Sequence, residues 1–269
     1  MDGQVASASG MSVRIASMRG RLLPNGRADF VRQFCLFAGA YIGYRVVEGV
    51  VGGAEGPAFR HANEIISFER TLHVFVEPRI QAWAAGSHLL LVIATYIYLN
   101  AQTTLIVGAL VYLYVAHNRN YYFVRNMLMV AMGIALFCYA LYPTAPPRFM
   151  PEQGFIDTTS WITGIGSTSA AANVFVNSYA AVPSMHVAFA VMLSWPLSRL
   201  VRWRPLRVFW ALWPLVITFV TIITANHFFA DAVFGVATAA VSAAVARSLA
   251  AIRPHAWALE LRRSSVAAT

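Results

Sequence analysis

Six stretches of this chain run for about 20 predominantly apolar residues, the length of helix that crosses the hydrocarbon core of a membrane. They are Val31 to Val51, Gly86 to Ala116, Val124 to Tyr142, Ala181 to Val201, Leu206 to Thr224 and Phe228 to Ile252. A sequence built this way offers little polar surface to water. Charged residues make up 12% of it, against about 25% in soluble domains, and the mean hydropathy is +0.59. The expected fold is therefore all-α: a polytopic membrane protein with six transmembrane helices in one domain over 29–253. Residues 1–28 and 254–269 are expected to be cytoplasmic tails.

The second stretch is longer than a membrane needs and is interrupted by Asn100, Ala101 and Gln102. It reads either as one kinked helix or as two short ones. Arginine placement separates these readings, because cytoplasmic loops carry the excess of basic residues. All 20 basic residues are Arg, and the net charge is +9. Arg14 to Arg32 precede or open the first stretch, and His117 to Arg125, which leads into the third, carries Arg119 and Arg125. Arg199, Arg202, Arg204 and Arg207 flank the loop after the fourth, and Arg253, Arg262 and Arg263 follow the sixth. Six spans with both termini inside place all four groups in the cytoplasm. A seventh would put the N-terminal group on the wrong side. Topology control and attraction to anionic headgroups account for the basic charge, and no nucleic-acid partner is expected. The expected location is the plasma membrane, multi-pass. The N-terminus up to Ala28 has no apolar core and is not a signal peptide. Cys35 and Cys138 read as buried small hydrophobes, not as a disulfide or a metal pair.

Between the first two spans, from His61 to Trp83, Ile65, Ile66, Phe68, Leu72, Phe75 and Val76 are interspersed with Glu64, Glu69, Arg70, Glu77 and Arg79. That mixture resembles an amphipathic helix lying in the outer interface. The loop from Pro143 to Tyr179 is long enough to cover a site. Its only acids are Glu152 and Asp157.

Ionisable residues at membrane depth are costly and mark function. Asp231 is the only acid between Asp157 and Glu260. It stands at i+4 from His227, on the same helix face. A carboxylate there can accept the proton-bearing nitrogen of the imidazole and leave the other nucleophilic. The alternative is a buried pair that only ties helices together. In Val182-Pro183-Ser184-Met185-His186, proline suits the first turn of a helix. The free N–H groups of such a start bind phosphate, with Ser184 adding a hydroxyl and His186 standing ready to protonate a leaving alkoxide. The bland reading is a capped helix with an interfacial histidine. Arg148, after Pro146 and Pro147, can bind phosphate bidentately or simply snorkel to the interface. Arg45 and Glu48, at i and i+3 on the first span, pair with each other; together with Asp157 they are candidate headgroup contacts. In the six-span topology, Arg148, His186 and His227 all fall on the extracytoplasmic side.

The order Pro143-Thr144-Ala145-Pro146-Pro147-Arg148, then Pro183-Ser184-Met185-His186, then His227-x-x-x-Asp231 resembles the type 2 phosphatidic acid phosphatase superfamily. It looks most similar to the branch of inositol phosphorylceramide synthases and related phosphotransferases. The resemblance covers roughly Arg60 to Ile252. It implies a six-helix membrane core and a phosphohistidine intermediate, with no cofactor and no metal. Carried over, His227 is the nucleophile, Asp231 its orienting partner and His186 the acid and base. Arg148, Ser184 and the backbone of Met185 hold phosphate oxygens. The phosphatase pattern has Lys where Leu141 stands, Gly at Met185 and Arg at Thr221. These departures resemble the phosphotransferase branch.

The function expected is cleavage of a membrane lipid phosphate at the extracytoplasmic face, with the phosphoryl group passed to water or to an alcohol acceptor such as inositol or a glycolipid. Two other classes stay open. Two histidines and a carboxylate can form a metal site for iron or zinc. The same fold could also serve a non-catalytic lipid transporter or binder. Lipid identity and oligomeric state are not fixed by the sequence.

Overall fold

Every regular element among the described residues is helical, as the apolar runs predict. The computed structural model describes residues 23, 25–50, 55–164 and 179–252. The tails expected over 1–28 and 254–269 therefore lie outside the described residues except for 23 and 25–28. Helix α1 is Gly26–Val50, α2 Glu55–Thr71 and α3 Glu77–Ala85. Helix α4 is His88–Ala116; α5 is Asn118–Leu141, α6 Thr158–Thr163 and α7 Met185–Leu200. Helices α8 (Arg204–Ile223) and α9 (Phe229–Ile252) complete the order.

Four of these, α4, α5, α8 and α9, are long and apolar enough to cross a membrane. The expected first and fourth spans are present as α1 and α7 but do not meet that measure. Helix α7 has 16 residues, about 24 Å at 1.5 Å per residue, because residues 181–184 stay non-helical ahead of it. Helix α1 carries Arg27, Asp29, Arg32, Arg45 and Glu48. The interrupted second stretch is one continuous helix: Ile97–Ala101 forms a π-helical segment inside α4. Such wide turns frequently mark functional sites.

Helix α7 packs against α5, α8 and α9. The buried face of α9 carries Asp231, Gly235, Thr238, Ser242 and Ala246, and Gly235 lets α7 approach closely. The outward faces of the long helices expose Ile93, Val107, Phe137, Leu215, Val233 and Val241. Apolar exposure of that extent suits a hydrocarbon surrounding.

Three expectations change. The amphipathic stretch is two helices, not one, since His73 takes φ 59° and Pro78 opens α3 at its N-terminus. Cys35 is exposed on the outer surface, and Cys138 is half-buried; both are free. Arg125, counted among the loop arginines, is fully buried inside α5. Its guanidinium bonds Gln33 and Asn126. Next to it Asp29 accepts from Gln33, Tyr114 and Tyr122. A polar knot therefore joins α1, α4 and α5 at the end away from the histidines.

Candidate active site

Backbone hydrogen bonds draw three distant segments together. Thr144 bridges to Ala180; its N–H donates to the Tyr179 carbonyl at 2.8 Å, and the Ala181 N–H donates to the Thr144 carbonyl at 3.3 Å. The Arg148 N–H donates to the Ala225 carbonyl at 2.8 Å, and the Ser184 N–H to the Asp231 carbonyl at 3.0 Å. The stretch Pro143–Arg148 is thus pinned both to the approach of α7 and to the turn between α8 and α9.

In that turn His227 is 4% exposed. Its Nδ1 lies 3.0 Å from the Ala181 carbonyl and 3.3 Å from Asp231 Oδ2. A carbonyl can only accept, so Nδ1 carries the proton and Nε2 keeps its lone pair. Asp231 Oδ2 also accepts the Phe228 N–H at 2.9 Å, which fixes the carboxylate against the first turn of α9. Burial, and then the Arg148 guanidinium, push the His227 imidazole down to about 3. It is neutral at physiological pH.

His186 shows the opposite tautomer. Its Nε2 lies 3.2 Å from the Tyr98 carbonyl, so Nε2 carries the proton and Nδ1 is the nitrogen able to take one up. The Tyr98 ring stacks on His186 with centroids 4.2 Å apart and meets His227 edge-on at 6.5 Å. The two imidazoles are 5.8 Å apart. Asp231 sits on the Nδ1 side of His227, and among the described residues no three His, Cys, Asp or Glu side chains gather as metal ligands would.

Arg148, Met185, His186, Asn226 and His227 line one cavity of about 400 Å³. Arg148 donates through Nη1 to Asn226 Oδ1, and its guanidinium stands 4.7 Å from the Phe149 ring centroid. Met185 is the first helical residue of α7. First-turn N–H groups lack intrahelical acceptors and attract anions. Proline takes a different place from the one expected: Ser184 is the N-cap residue, so Pro183 precedes the helix and is not in its first turn. The other expected residues divide. Ser184 is fully buried, and its Oγ accepts the Val187 N–H, so it caps α7 and does not line the cavity. Arg45 and Glu48 pair at 2.7 Å and form part of the cavity wall. Asp157 caps α6, accepting from the Ser160 N–H at 3.0 Å and the Ser160 hydroxyl at 2.6 Å, and lies outside the lining.

Sequence reasoning missed Tyr98 and Asn226. The break at Asn100 to Gln102 marked the helical irregularity that carries Tyr98. Glu69 and Glu77, read only as polar residues interspersed in the interfacial amphipathic stretch, are both buried. Glu77 Oε1 accepts the Phe229 N–H at 3.0 Å, and Glu69 Oε1 the Ala230 N–H at 2.8 Å. Acceptor oxygens suit the first-turn N–H groups of a helix, and these two hold the start of α9 next to His227. Burial, together with neighbouring Glu77, pushes the Glu69 carboxyl up to about 9. A raised pKa favours the protonated folded state: its stabilisation is full below the ordinary carboxylate value and is lost as pH climbs toward 9. The melting temperature in detergent should therefore fall between pH 5 and pH 9, with Glu69→Gln flattening the slope. An equal slope in that variant would contradict this role.

Residues 63–245 match the family model described as the PAP2 superfamily. The match takes in the Arg148, His186 and His227 segments and begins after α1. No curated protein and no solved structure matches the chain.

Proposed function

Because the chain belongs to the PAP2 superfamily, we propose that it is an integral membrane lipid phosphoesterase working through a phosphohistidine on His227. The observation that carries this reading is the pair of complementary tautomers on one cavity. His227 has its nucleophilic Nε2 free, His186 has Nδ1 free, and Arg148 stands beside both. A lipid phosphoester places its non-bridging oxygens against the Arg148 guanidinium and the N–H groups at the start of α7. His186 enters the step with a proton taken up on its free Nδ1; His227 Nε2 attacks phosphorus in line, the P–N bond forms, the ester P–O bond breaks, and the leaving oxygen takes that Nδ1 proton. Water or an alcohol then attacks, gives its proton to His186 and breaks the P–N bond. Asp231 holds the Nδ1 proton of His227 throughout.

Leu141 and Thr221, where the phosphatase pattern is basic, favour the phosphotransferase branch similar to inositol phosphorylceramide synthases. An alcohol such as inositol or a glycolipid is then the acceptor. In this reading α1 and α7 complete six spans, both termini are cytoplasmic, and the cavity opens on the extracytoplasmic side of the plasma membrane. The test is turnover of a panel of lipid phosphates by the detergent-purified protein, with and without alcohols. Free phosphate, or phosphate transferred to an alcohol, is the expected product. Binding of lipid phosphates without any product would replace this reading with that of a lipid binder.

A further inference from the structure

A phosphoryl group in flight spreads its charge over three equatorial oxygens, and the cavity offers few donors for them. Leu141 and Thr221 stand where the phosphatase pattern is basic. Leu141, at the end of α5, is 65% exposed, and Thr221 is buried with its hydroxyl donating to the Thr218 carbonyl at 2.8 Å. Neither lines the cavity. The Asn226 amide is committed too. Its Nδ2 donates to Thr224 Oγ1 at 2.8 Å, and its Oδ1 accepts from Arg148.

Tyr98 faces the same space. It lines the cavity with Arg148, His186 and His227. Its ring stacks on His186 at 4.2 Å and meets the His227 ring edge-on at 6.5 Å, so it touches the environment of both imidazoles. Its backbone carbonyl holds His186, but the side chain makes no hydrogen bond to any of the described residues. The charges that act most strongly on the hydroxyl are Arg148, then Glu48 and Arg45. These come from two separate segments that line the cavity, and the hydroxyl stands in the space between them. A phenol left without an acceptor in such a place costs free energy, and a ligand oxygen removes that cost.

We propose that Tyr98 is a further catalytic residue, whose hydroxyl donates a hydrogen bond to a non-bridging oxygen of the phosphoryl group and stabilises the charge that gathers there as His227 attacks. This inference rests on the phosphohistidine reading. No proton leaves Tyr98 in the reaction: the transferred proton moves only between His186 and the leaving or attacking oxygen. A neutral donor suits the position. His186 must take up a proton, and a further cation packed against its ring would oppose that, whereas a phenol adds a donor and no charge. The competing role is positional, with the ring serving only to hold His186 in place. Phenylalanine separates the two, because it keeps the ring, the stack and the backbone carbonyl and removes the hydroxyl alone.

The test compares detergent-purified wild type, Tyr98→Phe and Tyr98→Leu on whichever of phosphatidate and phosphatidylinositol the wild type turns over faster. Inhibition by inorganic vanadate, which adopts the five-coordinate geometry of the reacting phosphorus, is measured alongside. Tyr98→Phe should lower kcat by about 100-fold with little change in KM, as removal of one donor to a developing anion does. It should weaken vanadate inhibition by a similar factor while the melting temperature stays at the wild-type value. Tyr98→Leu, which also loses the stack on His186, should fall further. Wild-type kcat and vanadate inhibition in Tyr98→Phe overturn this inference alone and leave the ring a positioning role, as does a loss confined to KM. Absence of any turnover by the wild type overturns the phosphohistidine reading and this inference with it.

Discussion

Replacing His227 by alanine should lower lipid phosphoester turnover by about 10⁴- to 10⁶-fold, the range seen when a covalent nucleophile is removed. The expectation follows from position. His227 is the imidazole whose free nitrogen is Nε2, because Nδ1 is occupied by the Ala181 carbonyl and Asp231. His186 offers the other ring nitrogen, Nδ1, and serves the proton transfers instead. The variant loses the ring contacts to Tyr98 and His186 and the Nδ1 contacts to Ala181 and Asp231, but the α8–α9 turn keeps the bond from the Arg148 N–H to the Ala225 carbonyl. The protein should therefore still purify and melt cooperatively. His227→Gln, which can retain a donor toward Ala181, serves as a second, less disruptive variant with the same expected loss. Activity near that of the wild type in either variant would remove His227 from the chemistry.

Gly235→Ala should also be damaging, though less so, for a reason that lies wholly in packing. Gly235 is one turn beyond Asp231 on the buried face of α9. A Cβ placed there would come 2.5 Å from the Ser184 carbonyl oxygen and 3.3 Å from both the Ala188 nitrogen and Val187 Cβ. The nearest obstacle is backbone, so no side chain can turn aside to make room. Either α7 shifts away from α9 or the contact is lost. A shift separates the element carrying Met185 and His186 from the one carrying His227 and Asp231. A displacement of about 1 Å costs roughly 100-fold in rate, and the overpacking itself costs about 1–3 kcal/mol. Turnover should thus fall by about 100-fold, together with a lowered melting temperature. Unchanged activity and stability would mean that α7 and α9 are not held as closely as described.

His186, His227, Asp231 and Arg148 were legible in the sequence because ionisable side chains are expensive in apolar segments and stand out there. The positions of the long helices were legible for the complementary reason: apolar runs of membrane length have few other uses. What the sequence hid depends on tertiary partners. Glu69 and Glu77 sit among residues that read as an interfacial helix, and nothing in their spacing shows that they cap α9 some 150 residues later. Ser184 looked like a phosphate ligand, but its hydroxyl is used on its own helix. Asp157 stood out as a lone loop acid and proves to be a helix cap. Tyr98 was one tyrosine in an apolar run; only the π-helical turn of α4 brings its ring and carbonyl onto His186. The role of Gly235 cannot be seen without α7 lying against it.

The most direct test is to look for the intermediate. The purified protein would be mixed with a ³²P-labelled lipid phosphate, quenched in alkali within one turnover and digested. The bound label would then be assigned by mass spectrometry, with His186→Ala included to slow breakdown of the phosphoenzyme. The account predicts an acid-labile, alkali-stable phosphoryl group on the peptide containing His227, enriched in the His186 variant and missing from His227→Ala. Turnover without any protein-bound label, or label on a residue other than His227, would contradict it.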